Sequence, residues 1–138
     1  MKELFDIVSY RSSELTTKLY STSFSFGIKA LDKKHHKAIY AIYGFVRFAD
    51  EIVDTFHDFD KEHLLSKFKK DTYEAIQFKI SLNPILNSFQ DVVNHYQIDL
   101  ELVDTFLDSM EMDLKPTAYD ASKYDTYILG SAQVVGLM

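Results

Sequence analysis

The 138-residue chain carries 15 Lys and Arg against 21 Asp and Glu, giving a net charge of −6, and it has no cysteine. The acidic balance argues against nucleic-acid binding by phosphate neutralisation, and the lack of cysteine excludes a disulfide scaffold, a thiolate zinc site and a cysteine nucleophile. With 46% hydrophobic and 26% charged residues but only 4 Gly and 2 Pro, the composition predicts one helix-rich globular domain over residues 1–138.

Met1 to Tyr10 alternates charged and apolar residues, without the continuous apolar core of a secretory signal. No apolar run approaches the ~20 residues that span a bilayer. The cytoplasm is the expected compartment, with peripheral membrane contact left open. Residues 4–20 read as a first helix with Leu4, Ile7, Val8, Leu15 and Leu19 as its apolar stripe. The hydroxyl-rich run Ser21-Thr22-Ser23-Phe24-Ser25-Phe26-Gly27 reads as a helix end or break. Asp32 is the expected N-cap of a long helix reaching about Phe56.

Lys61 to Ile80 is amphipathic, with Leu64, Leu65, Phe68, Tyr73 and Ile76 at helical spacing. Asn83-Pro84 places proline at the first position of a helix that runs to about Tyr96. Asp99 caps another through Leu114, interrupted by Lys115-Pro116. A last helix begins near Ser122 and is still apolar at Val134, Val135, Leu137 and Met138. That apolar ending reads as a truncation within a helix, with self-association as its expected consequence. No segment shows sustained alternation, so the expected fold class is all-α.

The segment that carries chemistry is Tyr43-Gly44-Phe45-Val46-Arg47-Phe48-Ala49-Asp50-Glu51-Ile52-Val53-Asp54. Residues three and four apart share a helix face, so Tyr43, Arg47, Asp50 and Asp54 form one stripe. Flanked by Phe45, Phe48, Ile52 and Val53, the helix reads as largely buried, where two like charges one turn apart are costly. A divalent cation resolves that conflict. Mg²⁺ takes one or two carboxylates and fills its octahedron with water and phosphate oxygens, and arginine offers a bidentate fork to the same phosphate. The plainer reading is a solvated acidic face with an Arg47–Asp50 or Arg47–Glu51 ion pair. From spacing alone the plainer reading is favoured, because such pairs are common on helices, and Asp104 and Asp108 repeat the spacing, with Glu111 continuing the face. The solvent-facing reading is the favoured one for Asp104 and Asp108, and pairing with a neighbour is the favoured one for Glu51. His35 and His36 read as exposed, and His57, His63 and His95 form no helical ligand pair.

The string YGFVRFADEIVD after STSFSF resembles the squalene/phytoene synthase family. In that family a Ser/Phe segment precedes a helix with a Tyr-x3-Arg-x2-Asp-x3-Asp pattern, matched here by Tyr43, Arg47, Asp50 and Asp54, with Ser21, Ser23 and Phe24 matching the loop. Met110 to Leu114 resembles the family's MEMDL segment, and Tyr127 to Met138, YILGSAQVVGLM, resembles its YCYYVAGTVGLM helix. The chain departs from the family at Leu129, Gly130 and Gln133, which puts the role of Tyr127 in doubt. The resemblance covers nearly the whole chain and implies an isoprenoid synthase helical fold, incomplete here because the second aspartate-rich motif lies beyond the last matched helix.

The family joins two prenyl diphosphates head to head with loss of diphosphate. By match, Asp50 and Asp54 hold Mg²⁺. Arg47, Ser21 and Ser23 contact diphosphate, Phe24 and Tyr43 line the reacting pocket, and Tyr127 is a substrate-binding candidate whose place nearest the cation stays open. Phytoene formation from geranylgeranyl diphosphate is the favoured reaction. Squalene or dehydrosqualene formation from farnesyl diphosphate is the rival, the former with NADPH. A non-catalytic helical interaction module is the alternative of a different class. The chain alone is expected to be inactive.

Overall fold

The computed structural model describes residues 1–31 and 33–114, and within them the chain folds into six helices with no strand. These are α1 (Lys2–Tyr20), α2 (Thr22–Lys29), α3 (Lys33–Asp54), α4 (Lys61–Phe78), α5 (Pro84–Tyr96) and α6 (Leu100–Leu114). Among the described residues no helix is long and apolar enough to cross a membrane. The expected Asp32 cap, the Lys115-Pro116 interruption, the helix from Ser122, Tyr127 and Gln133 all lie outside the described residues.

Local sequence chemistry sets the boundaries. Ser21 ends α1 in an extended conformation, and its Oγ accepts from the Phe24 backbone N–H at 3.1 Å, starting α2. The hydroxyl-rich run is therefore a hinge at one residue only. The expected helix end is thus present but confined to Ser21, and the rest of the run is helical because the side chain that ends one helix caps the next. Asp60 caps α4, Asn83 caps α5 with Pro84 behind it, and the Asp99 carboxylate accepts from the Glu101 N–H at 2.9 Å. Lys79 and Gln97 end α4 and α5 in the left-handed region, with φ of 61° and 54°. These positions are more often glycine.

Helix α3 touches all five other described helices. Its Phe45 is fully buried and stacks on Phe89 of α5 with centroids 3.8 Å apart. The Phe68 ring of α4 and the Phe106 ring of α6 each lie 5.4 Å from it. One side chain thus ties α3 to three helices, and truncating such a residue costs about 3–5 kcal/mol. Ile52 and Val53 are buried as expected, whereas Phe48 is exposed.

The face that α1 turns inward is not the one its apolar pattern predicts. Leu4, Ile7, Val8, Leu15 and Leu19 are all exposed, Leu19 at 74%. The buried residues are Ser9, Ser13, Thr16 and Thr17, packed on α3 and α5. Each hydroxyl donates to a local acceptor or pairs across the interface. Ser9 donates to the Phe5 carbonyl at 2.9 Å, Thr17 to the Ser13 carbonyl at 2.9 Å, and Ser13 pairs with Ser88 of α5 at 2.7 Å. Asn87 donates to Asp6 at 2.9 Å and to Ser9 at 3.0 Å. Satisfied in this way, small polar residues are cheap to bury and let backbones approach closely.

Candidate active site

The predicted stripe lies on the central helix, and only its last residue is exposed. Tyr43, Arg47 and Asp50 are half-buried and Asp54, the last residue of α3, is exposed. The expected burial of both carboxylates is thus corrected: Asp54 keeps its solvent, so desolvation alone does not demand a cation there. The Lys61 ammonium donates to the Val53 carbonyl, placing a positive charge at the C-terminal end of the helix dipole.

The Ser/Phe segment joins the stripe through one contact. Phe24 of α2 stacks on Tyr43 of α3, with centroids 4.9 Å apart and planes 24° from parallel. Ser21, Ser23 and Phe24 also line an open pocket of about 700 Å³ together with Ile28, His35 and Ile39. Ser23 is exposed and Ser21 half-buried. His35, expected at the surface, is half-buried, and its Nδ1 is buried without a hydrogen-bond partner. His36 is also half-buried, with its Nε2 2.9 Å from the Leu31 carbonyl oxygen.

Arg47 pairs with Glu51. Its Nη2 donates to Glu51 Oε2 at 2.8 Å, as expected for a pair one turn apart on a helix. The guanidinium carbon lies 4.6 Å from the centroid of the Tyr20 ring, in range of a cation–π contact. Arg47 Nε is buried and has no partner. Burial opposes the charge of the guanidinium, but the Glu51 hydrogen bond and the charges of Glu51 and Asp50 outweigh it, so Arg47 titrates above its usual value. Hydrogen bonding from Thr55 is the largest effect on Glu51; it acts with bonds to Arg47 and Tyr20 against burial to hold the carboxyl below its usual range. The Tyr20 hydroxyl, interacting with that carboxylate, is pushed up. Tyr20 carries no motif signal. Only the packing of α1's last turn on α3 brings it to Arg47.

The rival acidic face is built differently. Tyr73 of α4 donates its hydroxyl to Asp104, and Lys69 of α4 lies 3.0 Å from Glu111 and 3.5 Å from Asp108. Asp108 is exposed as expected, but Asp104 is half-buried. This face bridges α4 to α6 with its own cation. Among the described residues no three His, Cys, Asp or Glu side chains group to hold a metal ion.

The squalene/phytoene synthase family model matches residues 17–138, a span that includes the Ser/Phe segment, the whole α3 stripe and both later segments. The chain belongs to the squalene/phytoene synthase family. Its described residues are all-helical, consistent with the family's isoprenoid synthase fold. A 4,4'-diapophytoene synthase from Staphylococcus haemolyticus (strain JCSC1435) is 25% identical to it over 132 residues, covering 94% of this chain and 46% of that protein. This family member therefore spans about half the length of that relative.

Proposed function

We propose that this chain supplies one metal- and diphosphate-binding wall of an enzyme that condenses two prenyl diphosphates head to head. The observation that carries the reading is the Phe24–Tyr43 stack, which joins the serine segment to the aspartate stripe in a chain of this family. Asp50 and Asp54 would hold Mg²⁺. Two carboxylates one turn apart fit an ion that takes one or two and leaves its other positions to water and phosphate oxygens. Bound there, Mg²⁺ supplies Lewis-acid stabilisation of the departing diphosphate. Arg47, Ser21 and Ser23 bind diphosphate oxygens through their N–H and O–H donors. Phe24 and Tyr43 present ring faces to the cation left on the prenyl chain and keep water from it.

The relative's product makes a diapophytoene-type hydrocarbon from farnesyl diphosphate one outcome to test, beside phytoene from geranylgeranyl diphosphate. A multiply charged leaving group needs ligands from an opposing wall as well, so this chain alone is proposed to bind diphosphate without turning substrate over. The test has two arms. Diphosphate with Mg²⁺ raises the melting temperature of the chain, and extraction after incubation with either prenyl diphosphate yields no hydrocarbon. Absence of any magnesium-dependent stabilisation favours the interaction-module reading, and hydrocarbon from a monodisperse monomer overturns the one-wall reading.

A further inference from the structure

We infer that Glu51 and Tyr20 are positioning residues for Arg47, fixing its guanidinium so that its Nε–H is held ready for an anionic oxygen. The inference rests on the reading of Arg47 as a diphosphate ligand. A guanidinium is a rigid planar fork with five N–H donors. Fixing one nitrogen and the orientation of the plane fixes the direction of every other donor. Glu51 fixes the first by accepting from Nη2 at 2.8 Å. Tyr20 fixes the second by lying against the guanidinium, 4.6 Å from ring centroid to carbon. Among the other donors, Nε is buried and without an acceptor.

A buried charged N–H without an acceptor is unfavourable. The arrangement is satisfied when an oxygen anion completes it, and a diphosphate presents several. Glu51 and Tyr20 come from different helices, so the clamp exists only when the last turn of α1 is seated on α3. With 24% of the Arg47 side chain and 15% of the Glu51 side chain exposed, the pair is sheltered enough to hold one geometry, unlike a fully solvated surface pair.

Charge counting and positioning predict opposite signs. If Glu51 merely neutralises Arg47, its replacement by glutamine frees a positive charge and tightens anion binding. If Glu51 positions Arg47, the same change weakens binding by roughly tenfold, the scale on which a supporting partner acts. The experiment compares the whole chain with its Glu51→Gln, Tyr20→Leu and Arg47→Gln variants. Each is titrated calorimetrically with inorganic diphosphate and Mg²⁺, and the arginine side-chain ¹⁵N signals are recorded free and bound. The expected result is that Arg47→Gln loses binding, that Glu51→Gln and Tyr20→Leu weaken it, and that the wild-type Arg47 Nε–H signal shifts on binding. Unchanged or tighter binding in Glu51→Gln, or unchanged binding in Tyr20→Leu, overturns the inference. Should Glu51→Gln not fold, Tyr20→Leu decides, at a residue 50% exposed. If the wild-type chain binds no diphosphate, the functional reading fails, and the clamp is judged on the free protein. Slow guanidinium rotation in wild type that becomes fast in both variants supports it, and fast rotation in wild type overturns it.

Discussion

Gly44 of α3 faces Ser13 of α1 so closely that a methyl group on residue 44 would lie 2.9 Å from the Ser13 Oγ and 3.3 Å from its Cα. That approach seats α1 on α3 and brings Tyr20 to Arg47. Gly44→Ala gains about 1 kcal/mol of helix propensity but must push back a serine whose hydroxyl is committed to Ser88. Overpacking of this kind costs about 1–3 kcal/mol, so net destabilisation is expected. Thermal unfolding measures it, and a stabilised Gly44→Ala variant would show that the interface yields.

The inward face of α1 can be tested by a pair of changes. Leu15→Ser alters a residue 58% exposed and is expected to shift stability by no more than about 0.5 kcal/mol. Ser13→Leu drives a large side chain into the α1–α3 contact and is expected to cost about 3 kcal/mol. Denaturant melts of both variants give the order. The reverse order would mean that the leucine stripe, not the hydroxyl face, packs on the core.

That face marks where sequence reasoning fell short. Leu4, Ile7, Val8, Leu15 and Leu19 formed the only hydrophobic stripe that periodicity offered, while Ser9, Ser13, Thr16 and Thr17 read as polar. A helical Ser or Thr can donate to the carbonyl four residues back, as Ser9, Thr16 and Thr17 do, and it then behaves as a small, satisfied residue. Pattern reading does not register that satisfaction. By contrast, the α3 stripe, the Pro84 start of α5 and the Asp99 cap were legible, because each depends on neighbours within one or two turns. Pairing of Arg47 with Glu51 was legible for the same reason. Tyr20 was not, because it meets Arg47 only through the packing of two helices.

Glu51 imposes a pH dependence with a definite sign. Its carboxyl is held below its usual value of 4.5, first by Thr55 and then by Arg47 and Tyr20. A depressed folded-state value means the contribution to stability is fully present above about pH 4.5 and is lost as pH falls through the lower value. The melting-temperature difference between wild type and Glu51→Gln is therefore expected to shrink from about pH 6 to about pH 3. A difference constant over that range would show that Glu51 is not held ionised by its neighbours.

The two acidic faces make the sharpest comparison. Asp104 and Asp108 are engaged by Tyr73 and Lys69 of α4, whereas Asp50 and Asp54 lie on the stripe that Phe24 and Tyr43 join to the serine segment. The deciding measurement is calorimetric titration of the chain with inorganic diphosphate, with and without Mg²⁺, in wild type and in Asp50→Asn, Asp54→Asn, Asp104→Asn and Asp108→Asn. The α3 site predicts binding that requires Mg²⁺, falls at least about tenfold in Asp50→Asn and Asp54→Asn, and is unchanged in the two α6 variants. Binding that survives loss of both α3 aspartates, or that disappears with Asp104 or Asp108, would contradict it.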